Sequence, residues 1–283
     1  MSAKFGPGGN SEAFKSAGYT STVKAPAWIK QIGLDAYEYE AGNGLAASNS
    51  TLMEIGKAAK EAGVHMSFHT PYFISLSGID PEKRLKSIGY IRQSLEASKL
   101  LGAKTIVVHC GSAAKISRDE AMRLATDTLA RTLSEVDTYG IKIGIETMGK
   151  INQLGTLDEV IEICRMDKRL VPVVDFGHLN ARHLGNVFNS ADDYLRVFDK
   201  ISRLLGAEVA ENLHCHFSKI EYTGAGEKKH LTFSETVFGP PYEPLCEVIA
   251  KEGLSPTVIS ESAGTQSDDA LLMKKSYLKY LGV

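Results

Sequence analysis

Several features that would point to common protein classes are absent from this sequence. No apolar run reaches the roughly 18 residues that a membrane-spanning helix needs, and Met1 to Gly9 lacks the apolar core of a signal peptide. The four cysteines form no C-x-x-C pair. We therefore expect buried free thiols in a cytoplasmic protein rather than disulfides or a cysteine-rich zinc motif.

An excess of charge of one sign is also absent. The chain has 32 Lys and Arg against 34 Asp and Glu, a net charge of −2 and a pI near 6.5. Net charge therefore gives no support for a nucleic-acid partner, although a local basic patch remains an alternative because net charge averages over all faces.

The chain instead contains short β-like runs that alternate with longer helical patterns. These patterns predict eight strands and eight helices in 283 residues without a linker, so we expect one domain over residues 1–283. Eight β-then-α units are typical of the (β/α)₈ TIM barrel of the α/β class. The strands are predicted at 3–6, 34–40, 64–69, 103–109, 141–146, 170–175, 211–217 and 256–261. The helices are predicted at 25–32, 50–62, 81–100, 118–139, 156–166, 190–205, 242–252 and 267–280.

Six of the predicted strands end in a residue that can bind a divalent metal. These residues are His69, His109, Glu146, Asp175, His216 and Glu261, on average about 38 residues apart. This spacing corresponds to one strand, one loop and one helix per step. Since the carboxyl ends of parallel strands meet at one end of a barrel, we expect the six side chains to converge there.

Two further histidines extend this set of candidate ligands. His178 lies just past Asp175, and His230 lies in an irregular stretch, 218–242, predicted to be a long loop that covers part of the site. Eight ligands exceed the needs of one four-coordinate ion, so we expect two or three ions with a bridging carboxylate. Such a cluster suits phosphodiester hydrolysis. His214 shares the face of His216 by period two, whereas Cys110 and Cys215 should face away from the site.

This set of residues resembles the metal-binding set of endonuclease IV, the family-2 apurinic/apyrimidinic endonucleases. The resemblance implies a zinc-dependent endodeoxyribonuclease of DNA repair that cuts DNA 5′ to abasic sites. It implies that Glu146 bridges two zinc ions and is catalytic together with Glu261.

The resemblance also assigns the remaining ligands and the DNA contacts. His69 and His109 would complete one centre; Asp175, His216 and Glu261 the second; and His178 and His230 would serve a third. By the same resemblance, Tyr72 and Phe73 would enter the DNA. If abasic DNA is the substrate, Lys219, Lys228 and Lys229 could contact its phosphates, with a solvated loop as the alternative. Zinc is the expected metal, with manganese as an alternative, and we expect a monomer that acts on DNA with abasic lesions.

Three regions depart from the family pattern. The family's first strand ends in a histidine, whereas this chain reads Lys4-Phe5-Gly6-Pro7-Gly8-Gly9 there. The family places an aspartate two residues before the loop histidine, where this chain has Lys228; Glu227 and Glu221 are the nearby substitutes. The second strand carries Glu38 and Glu40, which would repel phosphates unless they point into the barrel.

A different function is compatible with part of the same residue set. Sugar isomerases and epimerases of the xylose isomerase-like superfamily bind a single divalent metal through Glu, Asp, His and Glu. Glu146, Asp175, His216 and Glu261 would satisfy that requirement, which leaves the four other histidines without a role.

Overall fold

Eight parallel strands form a ring in the computed structural model, which describes residues 2–283. The strands are β1 (Lys4–Pro7), β2 (Ala36–Glu40), β3 (His65–His69), β4 (Thr105–His109), β5 (Lys142–Glu146), β6 (Leu170–Asp175), β7 (His214–Phe217) and, after a hairpin of β8 (Lys219–Thr223) and β9 (Gly226–Leu231), β10 (Thr257–Ser260). They follow one another in the order β1-β10-β7-β6-β5-β4-β3-β2. The predicted TIM barrel is confirmed.

The ring closes between its first two strands. The Gly9 N–H donates to the Glu38 carbonyl at 3.0 Å, and the Asp35 N–H donates to the Phe5 carbonyl at 2.9 Å. The strands approach so closely here that a Cβ added to Gly6 would lie 1.8 Å from the Ala36 carbonyl oxygen. Only glycine fits at this position, which explains the glycine in the first strand.

Helices surround the ring. They are α1 (Glu12–Ser16), α2 (Ala25–Gln31), α3 (Asn49–Ala62), α4 (Pro81–Leu101), α5 (Arg118–Glu135), α6 (Leu157–Cys164), α7 (Phe176–Arg182), α8 (Ala191–Leu205), α9 (Ala207–Glu211), α10 (Glu243–Lys251) and α11 (Gln266–Leu281), with a 3₁₀ turn at Thr22–Lys24. Capping side chains hold the N-termini of two of these helices. The Asp80 carboxylate caps the N-terminus of α4, and the Ser117 hydroxyl caps that of α5.

The structure corrects the predicted elements in three respects. The stretch 218–242 is not merely a loop, because it contains the antiparallel hairpin β8–β9. Three short helices, α1, α7 and α9, were not predicted: α1 and α9 have five residues each, too few to show a helical period, and α7 follows β6 without a loop between them. The helix predicted at 118–139 ends at Glu135, where Val136 is extended.

The state of the cysteines agrees with the prediction from the sequence. All four cysteines are buried and free, as predicted. The Cys110 thiol donates to the Glu146 backbone carbonyl at 3.1 Å, and among the described residues neither Cys110 nor Cys215 belongs to a candidate ligand group. Within residues 2–283, every helix is too short or too polar to cross a lipid bilayer.

Candidate metal centre

The structure brings all eight predicted ligands together at the carboxyl end of the barrel. They fall into three groups, and the ligand atoms of each group lie within 4.8 Å of one another. The first group consists of His69, His109 and Glu146. Glu146 Oε2 lies 3.6 Å from His69 Nε2 and 3.1 Å from His109 Nε2.

The second group shares Glu146 with the first. It adds Asp175, His216 and Glu261, and each comes from a different strand end. His216 Nδ1 lies 3.1 Å from Glu146 Oε1 and 3.3 Å from Glu261 Oε1. Glu146 therefore stands between two groups, as a bridging carboxylate would.

The third group contains a candidate ligand that sequence spacing did not assign. Glu227 lies between His178 and His230: its Oε2 is 3.4 Å from His178 Nε2, and its Oε1 is 4.0 Å from His230 Nε2. Gly149 makes room for this group, because an added Cβ would lie 2.6 Å from the Glu227 Cβ. A carboxylate three residues before a histidine would point to the opposite face of a regular strand.

A β-bulge explains how Glu227 and His230 reach the same face. Glu221 pairs with Lys229 and the next residue, Tyr222, pairs with Glu227, so Lys228 is an extra residue in β9. The Lys228 amine lies 2.6 Å from Glu221 Oε1, outside the ligand group. The bulge therefore brings the Glu227 carboxylate to the same face as His230, so Lys228 does not leave this group without a carboxylate.

Helix α7 brings His178 into the site. The Asp175 carboxylate accepts a hydrogen bond from the His178 N–H at 2.8 Å and so caps the helix, which begins directly after β6. The His178 side chain lies 3.4 Å from Glu146 Oε1 through Nδ1. His178, on the first turn of α7, therefore contacts both Glu146 of the second group and Glu227 of the third.

The electrostatics of the centre follow from burying many ionisable groups together. Burial raises the pKa of the Glu146 carboxyl, but hydrogen bonds from His109, His178, His216 and His69 outweigh it and hold the pKa well below its usual range. Burial raises the pKa of Glu261 well above its usual range, and Glu146 and Asp175 add to this effect. Three neighbouring carboxylates therefore favour additional positive charge in the centre.

The donor set fits divalent metal ions. Glu146 Oε2 and Asp175 Oδ2 are buried, and the ring nitrogens that lie 3.1–3.6 Å from them are poorly aligned as donors, which is costly unless a cation binds these oxygens. Imidazole nitrogens and carboxylate oxygens are typical ligands of zinc. His69 Nδ1 contacts the Thr70 carbonyl at 2.9 Å, and His178 Nδ1 contacts the Thr147 carbonyl at 3.0 Å, so each ring can direct Nε2 into the site.

A cavity of about 740 Å³ opens above the three groups. Tyr72 lines it and is 56% exposed, with its ring edge-on to His69. Phe73 is 49% exposed beside it and packs on Tyr90. Among the described lining residues, Lys150 is the one Lys or Arg. Lys228 and Lys229 do not line this cavity; both are exposed and pair with Glu221.

The two acidic residues of β2 face different surroundings. Glu40 lines the cavity, and burial raises its pKa to about 7. Glu38 is completely buried inside the barrel, where it contacts His214 and His216. Glu38 therefore cannot repel a phosphate at the surface, and His214 does not line the cavity.

Comparisons with known proteins agree with this architecture. The family model described as xylose isomerase-like TIM barrel matches residues 26–277. The chain is 30% identical over 257 residues to an uncharacterized protein of Methanocaldococcus jannaschii, covering 89% of this chain and 90% of the relative. It is also 30% identical over 200 residues to a probable endonuclease 4 of Acholeplasma laidlawii, covering 68% and 66% of the two chains.

Two solved structures share the fold over nearly the full chain. A D-tagatose 3-epimerase-like protein has a TM-score of 0.71 at 21% identity, covering 99% of this chain and 98% of the other. Endonuclease IV from Thermus thermophilus has a TM-score of 0.68 at 18% identity, covering 99% of each chain. The family match over most of the sequence, on an eight-stranded barrel of this topology, shows that the chain belongs to the xylose isomerase-like TIM barrel family.

Proposed function

We propose that this protein is a zinc-dependent endodeoxyribonuclease that hydrolyses phosphodiester bonds at abasic sites in DNA. The observation that carries the proposal is the presence of three adjoining ligand groups rather than one. A single-metal isomerase has no use for the groups around His109 and His230. The relative named probable endonuclease 4 supports the same function.

The chain's own residues define where zinc ions would be held. His69, His109 and Glu146 would hold one ion; Glu146, Asp175, His216 and Glu261 a second; and His178, Glu227 and His230 a third. Bound zinc lowers the pKa of a water to near neutrality and neutralises charge on phosphate oxygens. Manganese, with its preference for oxygen ligands, fits this histidine-rich set less well.

The cavity supplies the contacts that a phosphodiester substrate needs. Lys150 places a positive charge on the wall beside the third group, where it can contact a phosphate. Tyr72 and Phe73 expose aromatic surface at the rim, where they can stack on bases next to a lesion. Lys228 and Lys229 are exposed on the hairpin, where they pair with Glu221 and could contact a DNA backbone that crosses the site.

A sugar isomerase or epimerase is the second candidate. Its support is the group Glu146, Asp175, His216 and Glu261, which is a complete single-metal site by itself. Glu40 adds a carboxyl group to the cavity wall that could hydrogen-bond to sugar hydroxyls. This function would leave both remaining ligand groups unused.

Metal analysis combined with two activity assays distinguishes the candidates. We expect elemental analysis of protein purified without added metal to find two or three zinc ions per chain. An oligonucleotide with one abasic site should be cut 5′ to the lesion, whereas the matched undamaged oligonucleotide should stay intact. One manganese or cobalt ion per chain, together with turnover of a ketose and no cleavage, would exclude the nuclease.

A further inference from the structure

The interior of this barrel contains a buried polar group that the proposed ligand set does not use. TIM barrels fill their interior mainly with branched apolar side chains. Here Glu38 of β2 is 0% exposed and His214 of β7 is 6% exposed. A buried carboxylate is costly unless other groups compensate its charge, so its presence below the metal centre requires an explanation.

Glu38 contacts one of the proposed ligands directly. Its Oε1 lies 2.8 Å from His216 Nε2, on the side of the ring that faces away from the metal centre. The opposite nitrogen, Nδ1, faces Glu146 and Glu261. Neither Glu38 Oε1 nor His216 Nε2 has an aligned hydrogen bond to any group. Their separation of 2.8 Å is nevertheless that of a hydrogen bond.

The other oxygen of Glu38 is held in place by two neighbours. The Ser67 hydroxyl donates to Glu38 Oε2 at 2.7 Å, and His214 Nε2 lies 2.9 Å from the same oxygen. Ser67 belongs to β3 and His214 to β7, so the carboxylate is fixed from both sides of the barrel. Its remaining oxygen is thereby directed at His216.

We propose that Glu38 is a positioning residue that accepts the Nε2–H of His216 and so leaves the Nδ1 lone pair free to bind a metal ion. A neutral imidazole has one protonated nitrogen, and the hydrogen bond at one nitrogen determines which nitrogen can bind metal. This inference rests on the metal binding proposed above. It adds that β2, which supplies none of the proposed ligands, controls the second group.

A fourth metal ion among Glu38, His214 and His216 is the competing interpretation, since these three residues also form a compact group. The nitrogen–oxygen distances of 2.8 and 2.9 Å argue against it. A four-coordinate ion with bonds of about 2.0–2.2 Å separates its ligands by more than about 3 Å. The Ser67 hydroxyl, which donates to Glu38, also occupies an oxygen that a metal would need.

Metal affinity tests the proposal without depending on catalysis. Zinc titration by calorimetry should show that Glu38→Gln weakens one ion by about 10–100-fold, as expected for loss of a carboxylate partner of a metal-bound histidine. Cadmium NMR of the loaded protein should show one perturbed resonance and others unchanged. Glu162→Gln, the same change on an exposed face of α6, is the matched control, and its metal affinity should equal that of the wild type.

The outcomes are distinguishable from failure of the proposed function. If the wild type binds no metal, the metal-dependent function itself fails. If the wild type binds metal and Glu38→Gln binds it equally well, the positioning role is refuted. Loss of one ion from Glu38→Gln at saturating metal would make Glu38 a ligand and also overturn the proposal.

A measurement on the unmodified protein remains decisive if Glu38→Gln does not fold. A proton–nitrogen correlation NMR spectrum of the zinc-loaded wild type identifies which nitrogen of His216 carries the proton. We expect the proton on Nε2. A proton on Nδ1 would contradict the proposal.

Discussion

At the scale of single residues, Glu146 has the densest surroundings. Its two carboxylate oxygens lie between 3.1 and 3.6 Å from ring nitrogens of His69, His109, His178 and His216. No other strand-end residue touches so many candidate ligands among the described residues. A carboxylate in this position can join two ions, and its loss would affect both.

We expect Glu146→Gln to reduce cleavage of abasic DNA by more than about 100-fold, because even changes to partners of ligands reduce affinity or activity by about 10–100-fold. The amide has the same size as the carboxylate but loses its charge and one acceptor oxygen. Cleavage rates and metal content would be measured together, and circular dichroism would establish that the fold persists. Glu162→Gln, the same change on an exposed face of α6, is the control and should leave both unchanged. Full activity in Glu146→Gln would refute the bridging role.

At the scale of elements, the hairpin β8–β9 supplies two of the three residues that could hold a third ion. Its bulge turns Glu227 and His230 to one face and moves Lys228 to the outside. In a regular strand, residues two apart share a face, and residues three apart do not. The bulge residue is therefore an insertion that the site tolerates, and its side chain has no part in metal binding.

Deletion of Lys228 should leave the third metal site intact. Glu227 would then stand two residues before His230 in a regular strand, which again places both side chains on the same face. Elemental analysis should find the same number of zinc ions as in the wild type, whereas Glu227→Ala should lose one ion. Lys228→Ala, which keeps the bulge, is the control. Loss of an ion on deletion of Lys228 would show that the bulge does more than restore the register.

The eight barrel strands and every helix except α1, α7 and α9 could be predicted from the sequence, because apolar runs and helical patterns alternate along the chain. The eight ligands could be predicted because most of them follow apolar strands directly. Glu227 could not be assigned to the third group, because the apolar and polar pattern of the sequence does not reveal a β-bulge such as the one at Lys228. The sequence could not decide whether Glu38 points into the barrel or away from it, because the two-residue period of a strand shows which residues share a face but not which face is inside.

At the scale of the whole molecule, the metal centre joins distant parts of the chain. The proposed ligands lie on strands β3 to β7, after β10, on α7 and on the hairpin, between His69 and Glu261. Each ion would therefore connect segments that are far apart in sequence. Binding to the folded state alone stabilises it, by about 2.7 kcal/mol for one site when the free metal is at about 100 times its dissociation constant.

Removal of metal should lower the melting temperature by several degrees, since about 1 kcal/mol corresponds to roughly 2–4 °C for a protein of about this size. Thermal unfolding would be recorded before and after chelation, and again after zinc is restored. Glu146→Gln should show a smaller shift because it holds metal less tightly. An unchanged melting temperature after verified metal removal would contradict metal binding by the folded chain.

The hairpin also has an evolutionary consequence. It supplies two of the three residues of the third group, yet it lies outside the ring of barrel strands. The first two groups use only barrel strand ends. A lineage could therefore shorten, lengthen or lose this one loop and change the number of ions without rebuilding the barrel. Descendants with different metal counts, and with different substrates, would then be separated by a single local insertion.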